Sequence, residues 1–114
     1  TIILYGGEPF LNVKTLEWAL SYIEKLKQLG KLPKKNLQVM ADTNGSLLNE
    51  EIIKMLKKYN VAVTVALDGI AKFNDRYRLS NKKRGTFDDV FKNIVLLKKH
   101  KVLTYVSMMA IPYE

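Results

Sequence analysis

The sequence predicts a parallel α/β fold, a βαβαβαβ segment read as a single unit over residues 1–114, and three observations lead there. Four β-like runs alternate with three helical runs, and the connections are long enough to hold crossover helices. The run Val61–Leu67 is almost entirely apolar, the pattern of a strand covered on both faces. Glycines and polar residues collect at the C-terminal ends of the first three strands, the edge where parallel α/β proteins bind ligands. Four strands do not decide between an open doubly wound sheet and part of a barrel.

The first strand is Ile2–Tyr5, followed by Gly6-Gly7-Glu8-Pro9-Phe10-Leu11. Paired glycines let backbone N–H and C=O groups approach a ligand closely. Glu8 offers an acceptor and Pro9 stiffens the loop exit. The plainer reading, a simple turn at Gly6-Gly7, fits the dipeptide equally well. Asn12 is placed to cap the first helix, with Leu11 and Leu16 as a hydrophobic staple. Leu16, Ala19, Leu20, Ile23 and Leu26 recur at helical spacing, and Gly30 supplies the stop.

After the basic loop Lys31–Lys35 comes the second strand, Leu37–Ala41, and then the polar turn Thr43-Asn44-Gly45-Ser46. Asn49 caps the second helix, Leu48 and Ile53 staple it, and Ile52, Met55 and Leu56 face inward; Asn60 ends it. The third strand runs to Leu67 and is followed by Asp68-Gly69. A longer segment, Ile70 to Gly85, carries Asn74, Asp75, Arg76, Tyr77, Arg78 and a basic tip. Thr86 with Asp89 reads as a capping box, opening a helix that buries Val90, Phe91, Ile94 and Leu97. Val102–Ile111 is the fourth strand. Gly6-Gly7-Glu8, Thr43-Asn44 and Asp68-Gly69 therefore share one rim, a placement that favours a binding site there.

Composition narrows the chemistry. The 114 residues are 47% hydrophobic, which suits a globular fold. There is no cysteine and only one histidine, so the chain itself carries no disulfide, thiolate cluster or histidine cluster. No apolar run reaches the ~20 residues of a membrane span, so no membrane partner and a cytoplasmic location are expected. Net charge is +8, drawn from Lys31, Lys34, Lys35, Lys54, Lys57, Lys58, Lys82, Lys83, Arg84, Lys98, Lys99 and Lys101 among others. Most of these fall in loops or last helical turns, where cations offset the helix dipole. An anionic partner suits the charge, but no recognition helix or aromatic-rich strand supports nucleic acid.

Together, Gly6-Gly7-Glu8-Pro9, Thr43-Asn44-Gly45, Leu67-Asp68-Gly69, Asn74-Asp75-x-x-Arg78 and Gly85-Thr86-Phe87-Asp88 resemble the radical S-adenosylmethionine (SAM) enzymes. The likeness is to the group of anaerobic sulfatase maturases and ribosomal-peptide maturases. It covers nearly the whole chain, with the motifs in order. The resemblance implies a partial (β/α)6 TIM-like barrel that holds SAM beside a [4Fe–4S] cluster. Cleavage of SAM then yields a 5′-deoxyadenosyl radical that takes a hydrogen from a peptide or protein substrate. It further implies that the backbone at Gly6, Gly7 and Glu8 receives the methionine amino group and that Arg78 pairs with the methionine carboxylate. Thr43, Asn44 and Asp68 would line the pocket, with Pro9 shaping its loop. The plainer reading of Arg78 is a loop cation paired with Asp75.

Departures from the family are equally plain. The CxxxCxxC cluster motif is absent, so the cluster belongs to a full-length parent and this chain alone is not competent for catalysis. Both ends of the chain read as cuts through a larger protein. The Ser of a Ser-x-Asp-Gly motif is Ala66, and the His often found before the next Asp is Asn74. The rival reading is a non-catalytic basic α/β module for an acidic peptide or nucleic acid; a doubly wound nucleotide-binding domain finds no GxGxxG. Helix-end roles explain Glu50, Glu51, Asp88 and Asp89, while His100 reads as a solvated last-turn residue. Trp18 and Tyr22 are expected to pack against a neighbouring element, and Met108 and Met109 to fill core. An open half-barrel leaves sheet edges and an apolar face uncovered, so the isolated chain is expected either to self-associate or to behave poorly in solution.

Overall fold

A computed structural model describes residues 1–80 and 82–109. Four strands, β1 (Ile2–Leu4), β2 (Val39–Thr43), β3 (Val61–Ala66) and β4 (Thr104–Ser107), form one parallel sheet in the order β1-β2-β3-β4. The connections hold helices α1 (Val13–Gln28), α2 (Glu50–Lys58), α3 (Ala71–Tyr77) and α4 (Phe87–Lys99). In a doubly wound sheet the strand order reverses at a switch point. Here it never reverses, so successive right-handed crossovers set the helices on one face. That is a barrel segment, and the choice left open by the sequence is made.

Register and side-chain alternation divide the sheet sharply. Val39 pairs with Val61, Ala41 with Val63 and Thr43 with Val65, and all six are buried on the helix side. Leu16, Leu20 and Ile23 of α1, Ile53 and Leu56 of α2, and Val90 and Leu97 of α4 complete that core. The alternate residues, Ile3, Met40, Asp42, Thr64, Ala66, Tyr105 and Ser107, point to the other face and stay exposed or partly exposed. The double coverage expected for the third strand is therefore confined to its first half, where Ala62 is also buried. None of the described helices is long and apolar enough to cross a membrane.

Several boundaries differ from expectation. The second strand is shifted toward the C-terminus, and Thr43 belongs to it because its backbone pairs with Val65. Tyr5 falls outside the first strand, since the pairing to β2 ends at Leu4. β4 is an edge strand that pairs over only Thr104–Ser107, and Ile111 lies outside the described residues. The segment after Gly69 contains a helix, α3, that the sequence reading did not anticipate. Phe91 is 51% exposed and stacks on Phe87, because Asn93 takes the inward position on α4. Leu11 is 76% exposed, so it makes no staple with Leu16. Trp18 and Tyr22 stack on each other, with rings 5.4 Å apart, and both remain exposed. Met108 and Met109 are exposed too, beyond the end of β4.

The ends of α1, the start of α2 and the end of α4 are closed by identifiable bonds. Asn12 Oδ1 accepts from the Thr15 N–H at 3.2 Å, and Asn49 Oδ1 from that of Ile52 at 2.9 Å. After α1, the Gly30 N–H donates to the Lys27 carbonyl and the Lys31 N–H to that of Leu26, a Schellman close with Gly30 at φ +72. α4 ends the same way, through Lys101 to Lys98 and Val102 to Leu97, but the left-handed residue is Lys101 at φ +58. His100 caps this end, with Nε2 enclosed 3.4 Å from Glu50 Oε1 rather than solvated. A side chain at Lys101 costs conformational energy that glycine avoids. Lys101→Gly is expected to stabilise the chain by about 0.5–1 kcal/mol, read as a higher denaturant midpoint at unchanged m; a lower midpoint would refute the strain.

Candidate functional site

All the rim loops leave the C-terminal ends of parallel strands, so the topology brings them together. The loop after β1 is held by Glu8. Its carboxylate accepts from Thr43 Oγ1 at 2.7 Å, from the Asn44 N–H at 2.8 Å and from the Phe10 N–H at 3.2 Å. Pro9 opens a 3₁₀ turn, Pro9–Leu11, that Glu8 caps. This bonding pins the first loop to the second. Among the described residues, the N–H and C=O groups of Gly6 and Gly7 make no backbone hydrogen bond. Both glycines are exposed, and a Cβ built on either meets nothing within 4 Å. The loop therefore presents open backbone on the rim.

The second loop is fixed from inside. Thr43 Oγ1 accepts from the Gly45 N–H at 3.0 Å, and Asn44 Oδ1 accepts from the Ser46 N–H and hydroxyl. Gly45, at φ +80, lies so close to β3 that a Cβ would stand 2.7 Å from a Val65 methyl. Its carbonyl accepts from buried Asn93 Nδ2 at 2.7 Å, tying the loop to α4.

The third loop carries the charges. Arg78 Nε donates to Asp68 Oδ2 at 2.6 Å, and Nη2 lies 3.4 Å from Oδ1. The pairing of Arg78 with Asp75, the plainer expectation, is thus replaced by a pairing with Asp68. The Met109 N–H also donates to Asp68 Oδ1, at 2.9 Å, linking this loop to the end of β4. Partial burial works to raise the Asp68 pKa. The Arg78 hydrogen bond, the Met109 N–H and the guanidinium charge outweigh it and hold the carboxyl below its ordinary 3.8.

Beneath the ion pair sits Asn74, fully buried. Its Oδ1 accepts from the Asp68 N–H at 3.1 Å, and its Nδ2 donates to Asp75 Oδ1 at 3.1 Å and lies 3.4 Å from Thr86 Oγ1. The Thr86 hydroxyl in turn donates to the Arg78 carbonyl at 2.8 Å. Asp75 Oδ1 accepts from the Phe87 N–H at 2.8 Å and so caps α4. The capping box expected of Thr86 and Asp89 does not form, because Thr86 is committed to Arg78. Gly85 is packed where a Cβ would overlap the Asp75 carboxyl. Asn74 and Asp75 stand out in the sequence as motif residues, but not as the support, Asn74 buried and Asp75 partly buried, that lies beneath this loop. Asn93 was missed altogether; its only signal is a polar residue at an inward helical position.

Glu8, Asn44 and Arg78 line a common cleft of about 670 Å³, within the range of small-molecule sites. Gly6, Gly7, Pro9, Thr43 and Asp68 stand on the same rim outside that lining, with Thr43 bonded to Glu8 and Asp68 to Arg78. A smaller cleft, about 250 Å³, lies at the opposite strand ends beside Lys57 and Lys101. Lys57 Nζ there donates to the Lys101 carbonyl, which uses its charge to close a helix end. Among the described residues no group of acidic, histidine or cysteine side chains is arranged to hold a metal ion.

The model of the radical SAM superfamily matches residues 1–114. The cysteine-type anaerobic sulfatase-maturating enzyme of Clostridium novyi is 35% identical over 104 residues, covering 90% of this chain and 26% of the relative. The serine-type anaerobic sulfatase-maturating enzyme of Bacteroides thetaiotaomicron is 34% identical over 100 residues, covering 86% of this chain and 23% of the relative. The chain thus spans about a quarter of the length of these relatives. Among solved structures, native anSMEcpe with bound AdoMet (SAM) and Kp18Cys peptide superposes with a TM-score of 0.76 at 25% identity. The match covers 92% of this chain and 28% of that one. Native anSMEcpe with bound AdoMet gives 0.70 at 31% identity, covering 91% and 28%. The four strands and their helices match part of that barrel.

The Asp68–Arg78 pair makes a pH prediction. A carboxyl with a lowered folded pKa contributes stability that is present above its unfolded value and lost as pH falls through the folded one. Asp68→Asn is therefore expected to flatten the acid limb of stability below pH 3.8; an unchanged limb would show that the pair contributes nothing. Asn74→Leu leaves the Asp68 N–H without its acceptor, and an equilibrium melt should register a loss of about 1–3 kcal/mol.

Proposed function

Because the chain belongs to the radical SAM superfamily, we propose that it forms the SAM-binding portion of an enzyme that modifies a peptide or protein substrate. The observation that carries this reading is the exposed, unbonded backbone of Gly6 and Gly7 on the same rim as Arg78. In this reading the carbonyls of the glycine loop accept from the methionine ammonium of SAM. Arg78 supplies the counter-charge for the methionine carboxylate. A guanidinium has five N–H donors, and Asp68 engages only two of them. Asn44 borders the same cleft, while Glu8 and Thr43 keep its two loops in register.

The residues fit SAM but do not fit an iron–sulfur cluster. With no cysteine, the chain offers no thiolate ligand. SAM, when bound, would supply the 5′-deoxyadenosyl group. What these residues contribute is binding, orientation and charge neutralisation. The peptide or protein substrate is favoured by the likeness to sulfatase-maturating enzymes and to a structure holding a bound peptide.

Calorimetric titration of SAM tests the site directly. Arg78→Ala removes a charge-assisted bond of about 1.5–3 kcal/mol, so affinity should fall about ten- to a hundredfold. Equal affinity in wild type and Arg78→Ala would remove Arg78 from the site. Gly7→Val, which adds bulk to the open loop, should weaken SAM binding without lowering the denaturant midpoint, since its Cβ meets nothing within 4 Å.

A further inference from the structure

One part of the cleft lies apart from the residues proposed to hold SAM. Residues Leu79 and Gly85 form an antiparallel bridge, and the Ser80 N–H donates to the Arg84 carbonyl at 2.8 Å, closing a short hairpin. Ser80 Oγ accepts from the N–H groups of Lys82 and Arg84, which ties the two sides of the hairpin together. Its base is locked by the packing of Gly85 on Asp75. This hairpin stands on the cleft that Glu8, Asn44 and Arg78 also line. Lys82 and Arg84 are exposed there and form no ion pair among the described residues. Beside them the lining is aliphatic, from Leu11, Leu47 and Leu79, all exposed.

We infer that this hairpin is a docking wall for an acidic segment of a peptide, with carboxylates on Lys82 and Arg84 and an apolar side chain against the three leucines. The chemistry selects this occupant. Two cations that form no ion pair among the described residues, on one internally bonded hairpin, give a place for carboxylates rather than a diffuse positive surface. Isolated leucines exposed around one cleft match an aliphatic side chain. Of the two acids in the lining, the Glu8 carboxylate is engaged by three donors and Asp89 lies in the first turn of α4. Neither takes a cation from the hairpin. A polynucleotide would need phosphates neutralised along a longer track, and Tyr77 alone offers an aromatic face in this lining. The inference deepens the proposed function by naming the substrate class, and it rests on that reading only in treating the bound peptide as substrate.

The test is fluorescence anisotropy of a labelled peptide of alternating Glu and Leu, titrated with the chain at low and high salt. Lys82→Glu/Arg84→Glu is expected to weaken binding at least about tenfold and to flatten its salt dependence. Lys82→Gln/Arg84→Gln should show a smaller loss in the same direction, and covers the case in which reversal disturbs the fold. Lys31→Glu/Lys34→Glu, in the loop between α1 and β2 at the opposite strand ends, should leave binding unchanged. Equal losses in both regions would overturn the inference, as would absence of binding by wild type or displacement by a single-stranded oligonucleotide in preference to unlabelled peptide. SAM titration of the wild-type chain decides the other reading separately. Peptide binding without SAM binding would leave the hairpin and remove the cofactor rim, and SAM binding with a hairpin-independent peptide would do the reverse.

Discussion

The Glu8 carboxylate is the tie on which the first half of the rim depends. It is only partly buried, yet its oxygens accept from Thr43, Asn44 and Phe10. Two of those donors belong to the next strand and its loop, so a single side chain couples the ends of β1 and β2. Charge-assisted bonds to a carboxylate are roughly twice as strong as neutral ones, and here they are made where the backbone ladder has already stopped at Leu4. Because Glu8 satisfies these groups, Gly6 and Gly7 need not bond to their neighbours. Their open backbone follows from the clamp beside them.

The second half of the rim is organised from beneath. Asn74 is an uncharged residue buried among polar groups, and its amide both accepts and donates. It holds the Asp68 N–H on one side and the Asp75 carboxylate on the other. Asp75 then caps α4 through Phe87, and Thr86 is drawn onto the Arg78 carbonyl. Six residues thus connect the end of β3, helix α3, the hairpin and α4. A buried network of this kind is stable only when every member is satisfied, which explains why Gly85 must lack a side chain where it meets Asp75.

Much of this was legible in the chain itself. The strand-helix alternation, the caps at Asn12 and Asn49, the stops at Gly30 and Asn60 and the common rim are all local signals, and each is present. What escaped the sequence depends on partners distant along the chain. Phe91 and Asn93 lie two positions apart on one helix, and only the place of the Gly45 carbonyl decides that the amide turns inward. Asp75 lies nearer Arg78 in sequence than Asp68 does, yet it is spent on the Phe87 N–H, leaving Asp68 as the counter-ion. Strand order was likewise invisible, since four parallel strands are compatible with two architectures until their pairing is known.

The two anchors of the rim differ in how freely they can change partners, and this bears on the proposed cofactor role. Glu8 sits among fixed donors, two of them backbone N–H groups, so its position is set by the fold. Arg78 meets Asp68 at the surface of the cleft, with nearly a third of its side chain exposed. The pair is partly exposed and so partly screened by solvent, which leaves the guanidinium open to competition from an incoming carboxylate. Asp68 would then keep its bond to the Met109 N–H and avoid standing as an unpartnered charge. A rigid acceptor on one loop and an adaptable donor on the next suit an amino acid head group. The ammonium needs preformed carbonyl geometry, and the carboxylate needs a cation able to swing onto it.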